Sequence, residues 1–213
     1  NTTGTQIFDT EIKIKGTSSV GFDGNTYYSV PSANNYFAST NLSISFWIYG
    51  GDYHQDWQGL IVARHEIPTS TGWNIYKQNM NGIQVLCGYN GGWHIFTIPD
   101  TSSLGNSWVH ITVTFTETTF SSYVNSVLKS TETLPGPLDF NHDNLEIGSY
   151  PHQTGQSTRP GTNIDDFRIY NRALTVDEVS ELYNYVPGTM VSSEPMTEPT
   201  TVPAFGDDTQ QIC

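Results

Sequence analysis

Leu42, Ile44, Phe46 and Ile48 alternate with Ser43, Ser45, Trp47 and Tyr49, a period of two that predicts a strand with one face in a core. The same pattern returns at 108–115. There Val109, Ile111, Val113 and Phe115 are expected inside, with Trp108, His110, Thr112 and Thr114 opposite. Shorter strand-like runs cover 6–15, 19–22, 27–30, 60–64, 73–77, 83–87, 94–98, 120–124, 127–130 and 145–147. Turn signals punctuate them: Asp23-Gly24-Asn25, Asn81-Gly82, Asn90-Gly91 and Asn125-Ser126, with a forced loop at Pro135-Gly136-Pro137. In the last strand, Ile164, Asp166, Arg168 and Tyr170 alternate with Asp165, Phe167 and Ile169. This puts the Asp165 carboxylate on an apolar face, where it needs a cation or several donors to remain ionised. Behind that strand Thr175-Val-Asp-Glu178 reads as a capping box, and Val176, Val179, Leu182 and Tyr183 form the apolar stripe of a short helix. This helix is expected to cover an open end of the molecule.

Roughly a dozen short strands, with turn signals every 8–12 residues and one terminal helix, predict an all-β, two-sheet antiparallel jelly-roll sandwich. No repeat with a period of 20–50 residues argues for a propeller or solenoid. The chain of 213 residues could hold one large β domain or two small ones, and a composition change at Pro187 decides for one. Residues 1–186 carry the pattern, whereas 187–213 are rich in Pro, Thr and Glu, as in Glu194-Pro195 and Glu198-Pro199, and read as an extended or disordered linker or stalk. The domain is therefore expected to be one module of a larger multi-domain chain or assembly.

A formal charge of −13, with only 8 Lys plus Arg, argues against nucleic acid and against an anionic membrane surface, since binding either rests on basic side chains. No apolar run of about 18 residues predicts membrane insertion. Cys87, in a strand-like run, is expected to be a buried thiol. Together with Cys213 it leaves the redox compartment open. The sequons Asn1-Thr2-Thr3 and Asn41-Leu42-Ser43 make Asn1 and Asn41 candidate glycosylation sites, and with the stalk they favour a secreted, extracellular or surface-displayed protein. No Gly-x-Ser-x-Gly, His-Glu-x-x-His or phosphate loop occurs. Among the polar clusters, Asp52-Tyr-His-Gln-Asp56 and His65-Glu66 match no metal or triad spacing.

Several segments together resemble the laminin-G-like, concanavalin A-like jelly-roll domains, in the branch related to pentraxins. They are Val20-Gly-Phe-Asp-Gly24 with Tyr27–Pro31, Leu42–Trp47, Trp108–Phe115, Tyr123-Val-Asn125, Leu134–Phe140, Leu145–Gly148 and Ile164–Leu174 with its helix. They follow the family order over about residues 6–185. The resemblance implies two antiparallel sheets face to face, a binding rather than catalytic role, and glycan or extracellular protein partners. It also implies a structural Ca²⁺, with Asp165 as a ligand and Asp23 and the Gly24 carbonyl as co-ligands; the alternative is that Asp165 caps backbone amides and Asp23 only opens a turn. Hydrolases of the same fold carry a Glu-x-Asp-x-x-Glu strand that this chain lacks, so no enzymatic activity is expected.

For a bound sugar, aromatic planes beside polar groups are the natural platform. Trp57, Trp73, Tyr89 and Trp93 are the candidates, with Asp52, His54, Asp56 and His152 in the loops expected to set selectivity. Trp on a strand is more often packing than platform, and Trp47 and Trp108 are read that way. The first reading is thus a non-catalytic, lectin-like module for a glycan or glycoprotein. A structural module of an extracellular or virion assembly is the second, and a remote polysaccharide hydrolase the third.

Overall fold

The alternating strands assemble as two antiparallel sheets packed face to face. The computed structural model describes residues 2–3, 8–31, 40–50, 58–65, 71–78, 81–142, 144–148, 161–186 and 209–212. One sheet has seven strands, in the order β1 (Thr2–Thr3), β4 (Tyr27–Pro31), β13 (Asn144–Ile147), β6 (Gln58–His65), β7 (Thr71–Gln78), β8 (Gly82–Tyr89) and β9 (Gly92–Thr97). The other has eight. Seven run β12 (Val127–Thr133), β11 (Thr119–Val124), β10 (Trp108–Phe115), β5 (Leu42–Tyr49), β14 (Asn163–Tyr170), β3 (Ser19–Gly21) and β2 (Phe8–Asp9), and β15 (Thr209–Ile212) pairs with β14. The helix, α1, spans Val176–Asn184.

The predicted faces of β5 and β10 hold. Leu42, Ile44, Phe46 and Ile48 meet Ile111, Val113 and Phe115 in one buried cluster, with Ile61, Trp73, Ile75, Val85 and Phe96 from the facing sheet. Phe96 stacks on Phe120 at 4.3 Å between ring centroids, a contact worth about 0.5–1.5 kcal/mol beyond its buried area. Two hairpins turn through left-handed pairs, Asn90-Gly91 (φ 49 and 73) and Asn125-Ser126 (φ 50 and 64), the geometry that matches strand twist. The first strand is shorter than 6–15 predicts. Asp9 Oδ1 accepts the amides of Glu11 and Ile12, and this Asx turn takes the chain off the ladder.

The faces of β14 differ from the strict alternation. Asp165 pairs with Trp47 but Arg168 pairs with Ser45, so β14 holds one residue more than β5 across that step. Asp166, at φ 48, belongs to this bulge. The extra residue inverts the parity. Ile164, Phe167 and Ile169 all reach the core, while Asp165 lies with Trp47 on the outer face. The expectation that Asp165 shares a face with Phe167 and Ile169 is therefore corrected.

The helix also lies elsewhere than expected: it covers the outer face of the eight-stranded sheet, not an end of the sandwich. Val179 is fully buried against Tyr123, Tyr170 and Leu174, and Tyr183 stacks on Trp47 at 5.3 Å. Large aromatic groups on that face supply the apolar area that holds it. The capping box forms as predicted, with Glu178 N–H donating to Thr175 Oγ1 (3.3 Å) and Thr175 N–H to Glu178 Oε2 (2.8 Å). Arg172 adds two bonds to the same carboxylate, which hold the Glu178 carboxyl down at about 2. Val176 departs from the predicted stripe and is 57% exposed. At the other end Lys15 Nζ donates to the carbonyls of Tyr183 and Tyr185, where the helix carries its partial negative charge.

Four residues of the expected linker return to the sheet as β15, where Thr209–Ile212 pair with Tyr170–Phe167.

Candidate functional site

With one helix already on the eight-stranded sheet, the outer face of the seven-stranded sheet is the broad surface on which no described helix packs. Its centre is a cross-strand row set by register: Ser29, Glu146, Val62, Asn74, Leu86 and Ile95. Beside it runs a second row, Tyr76, Gln84 and Thr97. These positions share a face because each strand alternates about Trp73, Ile75, Ile83, Val85 and Phe96, which point into the core.

The second row is fully bonded. Tyr76 Oη donates to Gln84 Oε1 (2.8 Å), and Gln84 Nε2 donates to Thr97 Oγ1 (2.9 Å). The first row is not. Asn74 is 0% exposed and neither its Oδ1 nor its Nδ2 has a hydrogen-bond partner. Glu146 Oε2, on the far side of Val62, is likewise buried without one. An unsatisfied buried amide costs about 1–3 kcal/mol, so Asn74 as placed weakens the fold. Towards β9 the face opens: Trp93 is half-buried, while Ile95 and Thr97 are exposed. A closed polar centre thus passes into an open margin carrying an indole, roughly 12 Å from Asn74 by the spacing of two strands and two residues.

The residues singled out in the sequence fall in several places. Trp93 is on this face, opposite Gly88 on β8. Tyr89 is half-buried at the end of β8, its hydroxyl donating to Pro135 O (3.1 Å) and its ring set edge-on to His94. Trp73 is 0% exposed and pairs inward with Cys87, with His142 at its edge, so its indole has no face free for a sugar. Cys87 is a free buried thiol, and burial pushes its ionisation up out of reach. Trp47 lies under the helix, and Trp108 is half-buried beside Tyr49. Asn41 is half-buried just ahead of β5. Asn1, Asp52, His54, Asp56, Trp57 and His152 lie outside the described residues.

The carboxylates expected at a calcium ion are otherwise engaged. Asp165 Oδ2 accepts the amides of Ile14 (3.0 Å) and Lys15 (2.9 Å), and its Oδ1 accepts that of Asp166 (2.8 Å). Burial pushes its carboxyl up, and those amides pull it back. Asp166 is paired with Arg168 at 2.8 Å. Asp23 Oδ1 accepts from Asn25 and Thr26, amides that hold its carboxyl below the usual range, with Gly24 inside that turn. No group of three or more His, Cys, Asp or Glu able to hold a metal occurs among the described residues. Between them the Asp165 and Asp23 carboxylates accept five amide bonds, the arrangement expected of the alternative in which Asp165 caps backbone amides and Asp23 opens a turn.

Asn74, Gln84 and Glu146 went unremarked in the sequence. Their signal was nonetheless present: Asn74 and Gln84 are amides inside strands whose flanking residues, Trp73, Ile75, Ile83 and Val85, are all core-forming. An amide at the middle of a strand, away from any turn, is out of keeping with strand preference.

The model of a family described as the concanavalin A-like lectin/glucanases superfamily matches residues 22–180. No curated protein matches the chain. Among solved structures, it is similar to domain 4 of AbnA, an extracellular arabinanase from Geobacillus stearothermophilus, solved in complex with arabinotriose; identity is 19%, the TM-score 0.64, and the match covers 85% of this chain and 82% of that one. It is also similar to the binding domain of botulinum neurotoxin serotype G (23%, TM-score 0.65, 86% of this chain and 46% of that one). The binding domain of Paraclostridial mosquitocidal protein 1 is a third (18%, TM-score 0.65, 86% and 47%). The chain therefore spans most of the arabinanase domain but about half of the toxin binding domains. At these identities the likeness speaks for the fold.

Proposed function

Because the chain belongs to the concanavalin A-like lectin/glucanases superfamily, we propose that it is a non-catalytic, lectin-like module that binds a glycan or glycoprotein through the outer face of its seven-stranded sheet. The observation that carries this is Asn74. Its amide has an unused donor and an unused acceptor but is closed to solvent, so sugar hydroxyls, which supply the complement of both, meet it only once this centre is uncovered. Trp93, on the same face, offers the apolar plane against which a pyranose or furanose stacks. The bonded chain of Tyr76, Gln84 and Thr97 fixes the side chains of the neighbouring row.

Hydrolysis is not part of the proposal. Glycoside cleavage needs two carboxyl groups flanking one bond, and the described strands present one on this face, Glu146. The arabinanase domain bound to arabinotriose supports an oligosaccharide as ligand, and the toxin binding domains support a surface-exposed, extracellular setting. No described helix is long and apolar enough to cross a membrane.

A glycan array with the full chain, followed by calorimetry on the best hit, tests the reading. Asn74→Val and Trp93→Ala should each weaken binding at least tenfold. Asn74→Val should at the same time leave the melting temperature unchanged or raise it, because it removes two unsatisfied buried atoms. Glycan binding that survives both substitutions, or an array with no hit, overturns the proposal.

A further inference from the structure

One side of β14 is divided. β3 pairs only with Asn163 and Ile164, because the chain ahead of Ser19 turns away: Gly16 takes φ 60, and Ser19 Oγ donates back to Ile12 O. The amides of Ile14 and Lys15 then close on the Asp165 carboxylate instead of continuing the ladder. Beyond the bulge, Arg168–Tyr170 are paired with β5 on one side, and on the other side no described strand of the sandwich except β15 pairs with Phe167–Tyr170. Such a half-edge presents a short row of main-chain donors and acceptors, the template on which an extended peptide adds as a strand.

Thr209–Ile212 lies on that template, with Phe167 opposite Ile212, Arg168 opposite Gln211, Ile169 opposite Gln210 and Tyr170 opposite Thr209. Four paired residues make a small contact. Connection to the same chain through residues 187–208 raises the effective concentration of this strand to the order of millimolar, enough to keep a weak strand in place. Main-chain pairing is also tolerant of sequence, since only alternate side chains meet the sheet.

We propose that Phe167–Tyr170 is a strand-accepting slot for a short extended peptide, and that Thr209–Ile212 is its resident, displaceable occupant. The slot lies on the eight-stranded sheet, so it is independent of the sugar-binding reading. While the tail is seated, the edge is closed to other strands. When the tail leaves, the edge is open to another extended segment.

The test uses the full chain and a full-length variant carrying Gln210→Pro and Gln211→Pro. Consecutive strand residues direct their N–H groups to opposite sides, so one of the two prolines must remove a ladder donor. Hydrogen exchange over 167–170 should speed up at least tenfold in the variant, while exchange in α1 over 176–184 stays the same. Adding a free peptide with the sequence of residues 207–212 to the variant, at about 10 mM and so above the effective concentration of the tethered strand, should restore the protection. Equal exchange in the two chains overturns the seating of the tail, and failure of the peptide to protect overturns the slot.

Discussion

Acid should weaken this fold through one histidine before the carboxylates titrate. His110 is 1% exposed on the outer face of the eight-stranded sheet, between Trp47 at 5.0 Å and Tyr183 at 5.8 Å. Its Nε2 lies 2.9 Å from Ser45 Oγ, and its Nδ1 is buried with no partner to receive a second proton. Burial first, and then the positive charges of Lys15 and Arg168, push its pKa from 6.5 down to about 3. In the unfolded chain the ring protonates at the ordinary value. Between pH 6.5 and 3 the unfolded state therefore binds more protons, and stability is lost as the pH falls through that window. Each unit is worth about 1.36 kcal/mol, so the loss at pH 5 is about 2 kcal/mol relative to neutral pH. The assay is urea unfolding followed by tryptophan fluorescence at pH 7, 6 and 5, on the wild type and on His110→Gln, which keeps a polar group near Ser45. The variant should lose about 2 kcal/mol less than the wild type over this range. Equal losses would refute the reasoning, because the proton responsible would then belong to another group.

Two further outcomes follow from side chains that bond backbone amides. Thr175→Ala removes half of the capping box and should cost about 1 kcal/mol in urea unfolding; no change would mean that the Arg172–Glu178 pair alone holds the helix start. Excess chelator should leave the melting temperature unmoved, since the Asp165 and Asp23 carboxylates are already occupied by amides, and a fall of several degrees would restore the calcium expectation.

The legible part of the fold is the part governed by local periodicity. β5 and β10 could be read residue by residue, because each is a straight strand with one face in the core, and alternation is then a direct record of burial. The same rule failed at β14 for a physical reason. One extra residue at Asp166 reverses every face after it, and nothing in Ile164–Tyr170 distinguishes a bulge from a regular strand until the partner is known. The helix was legible in its cap but not in its place, since that depends on Trp47 and Tyr123, far away in sequence and outward-facing on strands. β15 was hidden twice over, by the Pro- and Thr-rich context before it and by its dependence on a distant edge.

The candidate site shows the same division between local and distant information, with a different consequence. Aromatic residues near turns drew the sequence reading toward Trp73 and Tyr89, yet one is wholly inside the core and the other is tied to Pro135. Trp93 alone of the described candidates shares a face with unsatisfied polar groups. That pairing can only be seen once register places Trp93, Leu86, Asn74 and Glu146 across four strands. Stability would favour an apolar residue at position 74, as it does at Val62 and Leu86 on either side. The amide at that position therefore costs the fold about 1–3 kcal/mol as placed, and this is the cost that Asn74→Val should recover.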